Sequence, residues 1–210
     1  MKNLLFIAAT ICSINLSIAQ NGSYNQFSLE AGVGMGVPLS TVSNLSSKFF
    51  TSFSSYSLGT RFMITDYWGV KAQFVSDSFK ESSTEGVNNI RLDLQAHYNL
   101  GKKLEIPYST NDLMSLFVHS GFGTSFVESL ETDVREKTGS FIIGLTPIFR
   151  FSDSVSLFAD ASYVYNLKQH LYYDGKVFSA TGDYTTGSHF NMSFGLMVYL
   201  GGNKRHADWY

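Results

Sequence analysis

From Phe27 onward the chain keeps returning to stretches of about ten residues in which every second side chain is apolar. In residues 89–100, Ile90, Leu92, Leu94, Ala96, Tyr98 and Leu100 share one face, and Arg91, Asp93, Gln95, His97 and Asn99 share the other. Period two means strands with two unlike faces. A soluble sandwich would turn the apolar face inward, but here the polar face carries too much charge to be a simple water-facing side. With an export signal ahead of it, the pattern predicts a transmembrane β-barrel with lipid outside.

Eight segments fit this template: 25–37, 54–65, 68–76, 89–100, 113–126, 140–152, 155–166 and 189–200. They predict an all-β, eight-stranded, antiparallel up-and-down barrel occupying residues 20–210. In the first, glycines at 32, 34 and 36 fall on the inner face, where they leave room for larger side chains from other strands. Pro147 interrupts the sixth and predicts a bulge or one missing ladder hydrogen bond. Connections after the first, third, fifth and seventh segments (38–53, 77–88, 127–139, 167–188) are long and polar, whereas those after the second and sixth are tight. Outer-membrane barrels alternate in this way, which places both termini in the periplasm. Residues 101–112 break the rule by being long. Tyr67, Trp68, Tyr98 and Phe151 collect at the tight-turn ends and Tyr56, Phe126, Phe141, Tyr165 and Phe190 near the long loops, as two aromatic girdles would require.

Residues 1–19 read as a cleavable signal peptide, with Lys2 before an apolar run and Ser17-Ile18-Ala19 as the cleavage site. Cys12 lies in mid-run after Ile11, away from a lipidation position, and its removal with the signal leaves no thiol chemistry. The net charge of -2 and the lack of a Lys/Arg-rich run give no support for nucleic-acid binding.

Inward parity brings Glu30, Asp93 and Asp160 into one lumen with Arg61, Lys71, Arg91 and Arg150. Eight strands enclose room for side chains but not a wide channel, so these seven are expected to form an ion-pair network. No catalytic, cofactor or metal site is expected. His97, His119 and His189 face inward, and no His-x-x-x-His pair lies on one element. The sole catalytic arrangement to weigh is His170 and Asp174 approaching His189 and Ser188 at the outer mouth. Tyr172-Tyr173-Asp174-Gly175 reads as a turn whose tyrosines could meet an extracellular partner.

The Gly-rich stretch Leu29-Glu30-Ala31-Gly32-Val33-Gly34-Met35-Gly36 resembles the eight-stranded amino-terminal barrel of OmpA-like outer-membrane proteins of the Bacteroidetes type. So do Thr65-Asp66-Tyr67-Trp68-Gly69-Val70 and the closing run from Tyr199 through Lys204-Arg205-His206-Ala207-Asp208-Trp209. In many such proteins the closing run leads into a peptidoglycan-binding domain, whereas this sequence stops at Tyr210, so cell-wall anchoring is not carried over. The resemblance implies an outer-membrane location in a Gram-negative bacterium and a structural, adhesive or narrow-pore role. A monomer embedded in outer-membrane lipid, with a charge-plugged lumen and no enzymatic activity, is the leading expectation. A narrow pore for ions or very small solutes is the alternative, and a soluble lipocalin-like module with inverted parity is a third.

Overall fold

The computed structural model describes residues 26–39, 50–82, 84–178, 183–201 and 205–209, so the signal-peptide reading falls outside the described residues. Eight strands follow one another in order: β1 (Phe27–Pro38), β2 (Ser52–Met63), β3 (Trp68–Lys80), β4 (Gly86–Asn99), β5 (Met114–Ser129), β6 (Arg135–Arg150), β7 (Val155–Gln169) and β8 (Thr185–Leu200). Each pairs antiparallel with the next. β1 then meets β8, from Phe27 opposite Leu200 to Pro38 opposite His189, and closes the barrel.

Parity is as the alternation predicts. Leu94 is 62% exposed while its neighbour Asp93 is 6% exposed, and the same contrast separates Leu58 from Ser57 and Phe194 from Ser193. An outer belt of leucine, isoleucine and phenylalanine around a closed sheet suits hydrocarbon, since closure pairs each strand with a neighbour on both sides and leaves no open edge. The fold is a transmembrane β-barrel. At the end carrying the tight turns, Trp68 packs on Tyr98 with ring centroids 4.8 Å apart, and Tyr67 stacks on Tyr98 at 6.2 Å.

The strands run further at the other end, the loop end, than the hydrophobic pattern reaches. β3 and β4 stay paired up to Lys80 and Gly86, and β5 and β6 up to Glu128 and Arg135. Two of the connections predicted to be long are therefore mostly hairpin, joined by residues 81–85 and 130–134. Beyond the apolar belt the outward face holds Ser78, Lys80, Asn88, Glu128 and Arg135, so the ladder continues where the alternation of hydrophobicity has stopped. Pro147 takes the milder of its two predicted forms. Pairing with β7 is missing at Thr146 and Pro147, yet Ile148 rejoins Phe158 with the register unchanged and no bulge.

The exceptional connection after β4 is a small cap of two helical turns, α1 (Leu100–Lys103) and α2 (Ile106–Ser109). Asn99 Oδ1 accepts from the Lys102 N–H at 2.9 Å and caps α1, a role for which a short polar side chain is suited. Glu105, Asn111 and Asp112 take positive φ at the bends, two of them residue types that tolerate it. Lys102 Nζ reaches Asp66 at 2.7 Å, tying this cap to the β2–β3 turn.

Inside, two apolar clusters sit at opposite ends with a polar layer between them. Met63, Phe117, Ile148, Phe158, Met197 and Tyr199 gather with Ala207 and Trp209 at the turn end; Phe50, Phe79, Val87 and Val127 gather with Leu171 and Tyr173 at the loop end. The inner-face glycines of β1 make this possible, because a Cβ on Gly32 would stand 2.9 Å from the Phe158 ring. Placing arginine at Leu94, half-way up the outer face of β4, is expected to cost about 2–4 kcal/mol, against ~0–1 for the same change near either rim. Denaturant unfolding in lipid vesicles measures this; equal costs at both depths would contradict the lipid-facing assignment.

Candidate functional site: the lumen and its closures

The densest charge cluster lies next to the turn-end apolar layer. Glu30 on β1 faces Gly59 across the sheet, and a Cβ at Gly59 would sit 3.1 Å from Lys71 Cε. The missing side chain lets Lys71 lean across β2 and place Nζ 2.7 Å from Glu30 Oε2. Arg61, on the intervening strand, puts Nε 3.5 Å from Glu30 Oε1 and donates through Nη2 to Asp208 Oδ2 at 2.5 Å. Its guanidinium also lies 4.5 Å from the centre of the Phe117 ring. Two cations thus meet two carboxylates, and a buried charge left without a partner would cost several kcal/mol.

The fourth member comes from beyond β8. Residues 205–209 fold back into the turn-end mouth, leaving Ala207 and Asp208 inaccessible to solvent. Tyr199 donates to Asp208 Oδ2 at 3.0 Å, and Asn99 Nδ2 donates to the Asp208 carbonyl at 3.3 Å. His206 stacks on the Tyr199 ring with centroids 4.0 Å apart, and its Nδ1 accepts from the Asp208 N–H. Burial, the largest single influence, would raise the Asp208 carboxyl, but the charges and hydrogen bonds of Arg61 and His206 together outweigh it and hold the group below the usual carboxylate range.

A second cluster serves the loop end. Arg91 Nε donates to both oxygens of Asp93, at 3.0 and 2.9 Å, and its Nη1 lies 3.1 Å from His189 Nε2. Arginine has no lone pair to offer, so Nε2 accepts and Nδ1 carries the proton toward the Tyr173 hydroxyl, 2.8 Å away. Tyr173 thereby links the loop to the lumen. The segment around it is held down by Ser129 Oγ, which donates to the Gly175 carbonyl at 2.7 Å, and by Glu136, which accepts from the His170 and Leu171 N–H groups. Of the two roles open to these turn tyrosines, recognition of a partner or packing within the loops, Tyr173 takes the second as an inward anchor, and Tyr172 packs edge-on against Phe178.

The remaining predicted members separate. Asp160 meets His119 Nε2 at 2.9 Å and accepts from Thr146 and Ser162, so its partners are a histidine and two hydroxyls. His119 stacks on His97 with centroids 4.9 Å apart. Arg150 stays at the turn-end rim, where it pairs with Asp153 at 2.9 Å and Asp112 at 3.6 Å and lies 5.9 Å from the Trp209 ring. It takes no part in the clusters formed by Glu30 or Asp93. The arrangement of His170, Asp174, Ser188 and His189 does not assemble either: His170 sits on Glu136 and against the Tyr184 ring, Asp174 accepts from the Lys176 N–H, and His189 is held between Arg91 and Tyr173.

Sequence reading missed Asp208, Tyr173 and His119 as partners. Parity had already placed His119 inward. Nothing in a strand pattern marks a residue that re-enters the barrel from a loop or from beyond the last strand.

No protein-family model and no curated protein sequence matches the chain. Solved structures do. The Neisserial surface protein A is similar with a TM-score of 0.58 at 14% identity, over 83% of this chain and 97% of its own. A major outer membrane protein of Thermus thermophilus is similar with a TM-score of 0.52 at 11% identity, over 84% of this chain and 99% of its own. The shared fold is that of outer-membrane β-barrels. At such identities it is the barrel that is shared, and the lumen described above is this chain's own.

Removing Arg61 alone would leave Glu30 with Lys71 but strand Asp208 without a cation, so Arg61→Met is expected to destabilise by about 3–5 kcal/mol, and adding Asp208→Asn should recover part of that loss. Chemical denaturation of the single and double variants measures the coupling; strict additivity would contradict it. Because Asp208 has a depressed carboxyl in the folded state, its contribution is present above the unfolded carboxylate value of ~4 and is lost as pH falls below it. Unfolding of the parent should therefore steepen with acid below about pH 4 relative to Asp208→Asn. Parallel pH profiles would contradict this.

Proposed function

We propose that the protein is a structural outer-membrane barrel whose lumen is plugged by its own side chains, with the tight turns and both termini on the periplasmic side and the hairpins and longer loops facing the medium. The observation that carries this reading is closure at two levels. Glu30, Arg61, Lys71, Arg91, Asp93 and Asp160 are engaged within the barrel, and an apolar layer lies across each end of them. A conducting path would need continuous water, and the pairing of these six buried charges between two apolar layers leaves little room for it. His189 and His119 serve this interior as partners of Arg91, Tyr173 and Asp160.

The work of such a protein is mechanical and interfacial. Lipid solvates the outer belt, the sheet has no open edge, and the projecting hairpins β3–β4 and β5–β6 present Glu81, Glu85, Glu131 and Asp133 to the medium as surface on which a partner could act. Planar-bilayer recording of the refolded chain tests the plug. The expected trace is silent. Steady openings whose size changes with Arg61→Ala or Asp93→Ala would overturn the plug in favour of a narrow pore.

A further inference from the structure

Residues 205–209 occupy a built receptor. Three strands aim donors at one residue: Arg61 from β2 and Tyr199 from β8 at a single oxygen of the Asp208 carboxylate, and Asn99 from β4 at its carbonyl. All three donors are buried, and Arg61 is 1% exposed. Beside them Ala207 and Trp209 lie in the apolar layer with Met63, Phe117 and Phe158. The contacts that hold the segment are thus a carboxylate on a guanidinium and an indole in an apolar niche, the kind of contact a bound ligand makes.

The charge balance says what the receptor prefers. With Asp208 in place, Arg61 and Lys71 face Glu30 and Asp208. Without it, Glu30 remains 2.7 Å from Lys71 and 3.5 Å from Arg61, and one positive charge is left over next to an apolar pocket. A desolvated guanidinium whose Nη2 keeps only Met197 Sδ, a weak acceptor at 3.1 Å, is a strong carboxylate binder. We propose that the turn-end mouth is a binding site for carboxylates carrying an apolar or aromatic body, such as acidic peptide segments, and that residues 205–209 are its tethered occupant, which exchanges with free ligands of that class.

This extends the plugged-barrel reading, which treats the same segment as a closure, but a thiol readout keeps the two separable, because it reports access to the mouth whether or not ions cross the barrel. Ser28 is fully buried and lies in register beside both Arg61 and Tyr199. In the full chain carrying Cys12→Ser, Ser28→Cys places one thiol at the receptor. Its reaction with an anionic and a cationic methanethiosulfonate of similar size is measured after refolding, with heat-modifiable migration confirming the barrel.

In the parent background both reagents should react slowly. Asp208→Asn should raise the rate by about tenfold or more, equivalent to ~1.4 kcal/mol of latch, with the anionic reagent favoured. Millimolar acetyl-His-Ala-Asp-Trp-amide should restore protection, and the same peptide with Asn in place of Asp should not. Trp209→Ala, which keeps the carboxylate, should also raise the rate and carries the test should Asp208→Asn fail to refold. Equal rates with and without these substitutions, a preference for the cationic reagent, or equal protection by both peptides would each overturn the proposal. A silent bilayer trace leaves these outcomes unaffected, and an open one would overturn the plug without deciding them.

Discussion

Pairing of β1 with β8 is the constraint on which everything else depends. A sheet in hydrocarbon has no water to satisfy an edge, so the first and last strands must find each other, and here they do so over their whole shared length. Closure fixes which way every side chain points. Once Leu29 and Val198 face out, Glu30 and Met197 must face in, and the same parity propagates around the wall to Arg61, Lys71, Arg91 and Asp160. A shift of one residue at the seam would turn charge into lipid.

The interior then becomes a problem of partners. Charges that closure forces inward have to be neutralised across the small lumen, and the solution is local clusters instead of one network. Glu30 serves Lys71 and Arg61, Asp93 serves Arg91, and Asp160 is met by His119. In two of these systems the partner set is completed by a residue from outside the strands, Asp208 at one end and Tyr173 at the other. The same two segments bring the apolar side chains that complete the end layers, so neutralisation and closure are achieved by the same pieces of chain.

The wall was legible in the sequence because lipid and lumen impose opposite demands on successive residues. Residues 89–100 could be assigned side chain by side chain, and the inward set proved buried from Arg91 to Asn99. Legibility ended where one of those demands lapsed. Above the apolar belt the outer face meets water, so Lys80, Asn88 and Arg135 carry no strand signal although their backbones are paired. Arg150 has inward parity but lies at the rim, where Asp112 and Asp153 are nearer than any lumen acid, a matter of height along the strand that parity does not encode. Asp208 and Tyr173 were invisible as partners because they reach the lumen by chain reversal, and only three-dimensional closure brings them to Arg61 and His189.

In the proposed plug, the wall separates lipid outside from an interior that bulk water does not enter. Solid-state NMR of the protein in bilayers, with polarisation transferred separately from lipid acyl protons and from water protons, tests both halves at once. Acyl polarisation should reach Leu58, Leu94 and Ile143 first, while Ser57, Ser125 and Ser162 on the inner face should build up slowly from either source. Rapid transfer from water to those serines would show a hydrated lumen, and acyl transfer to the serines ahead of the leucines would show the parity reversed; either result would contradict the account.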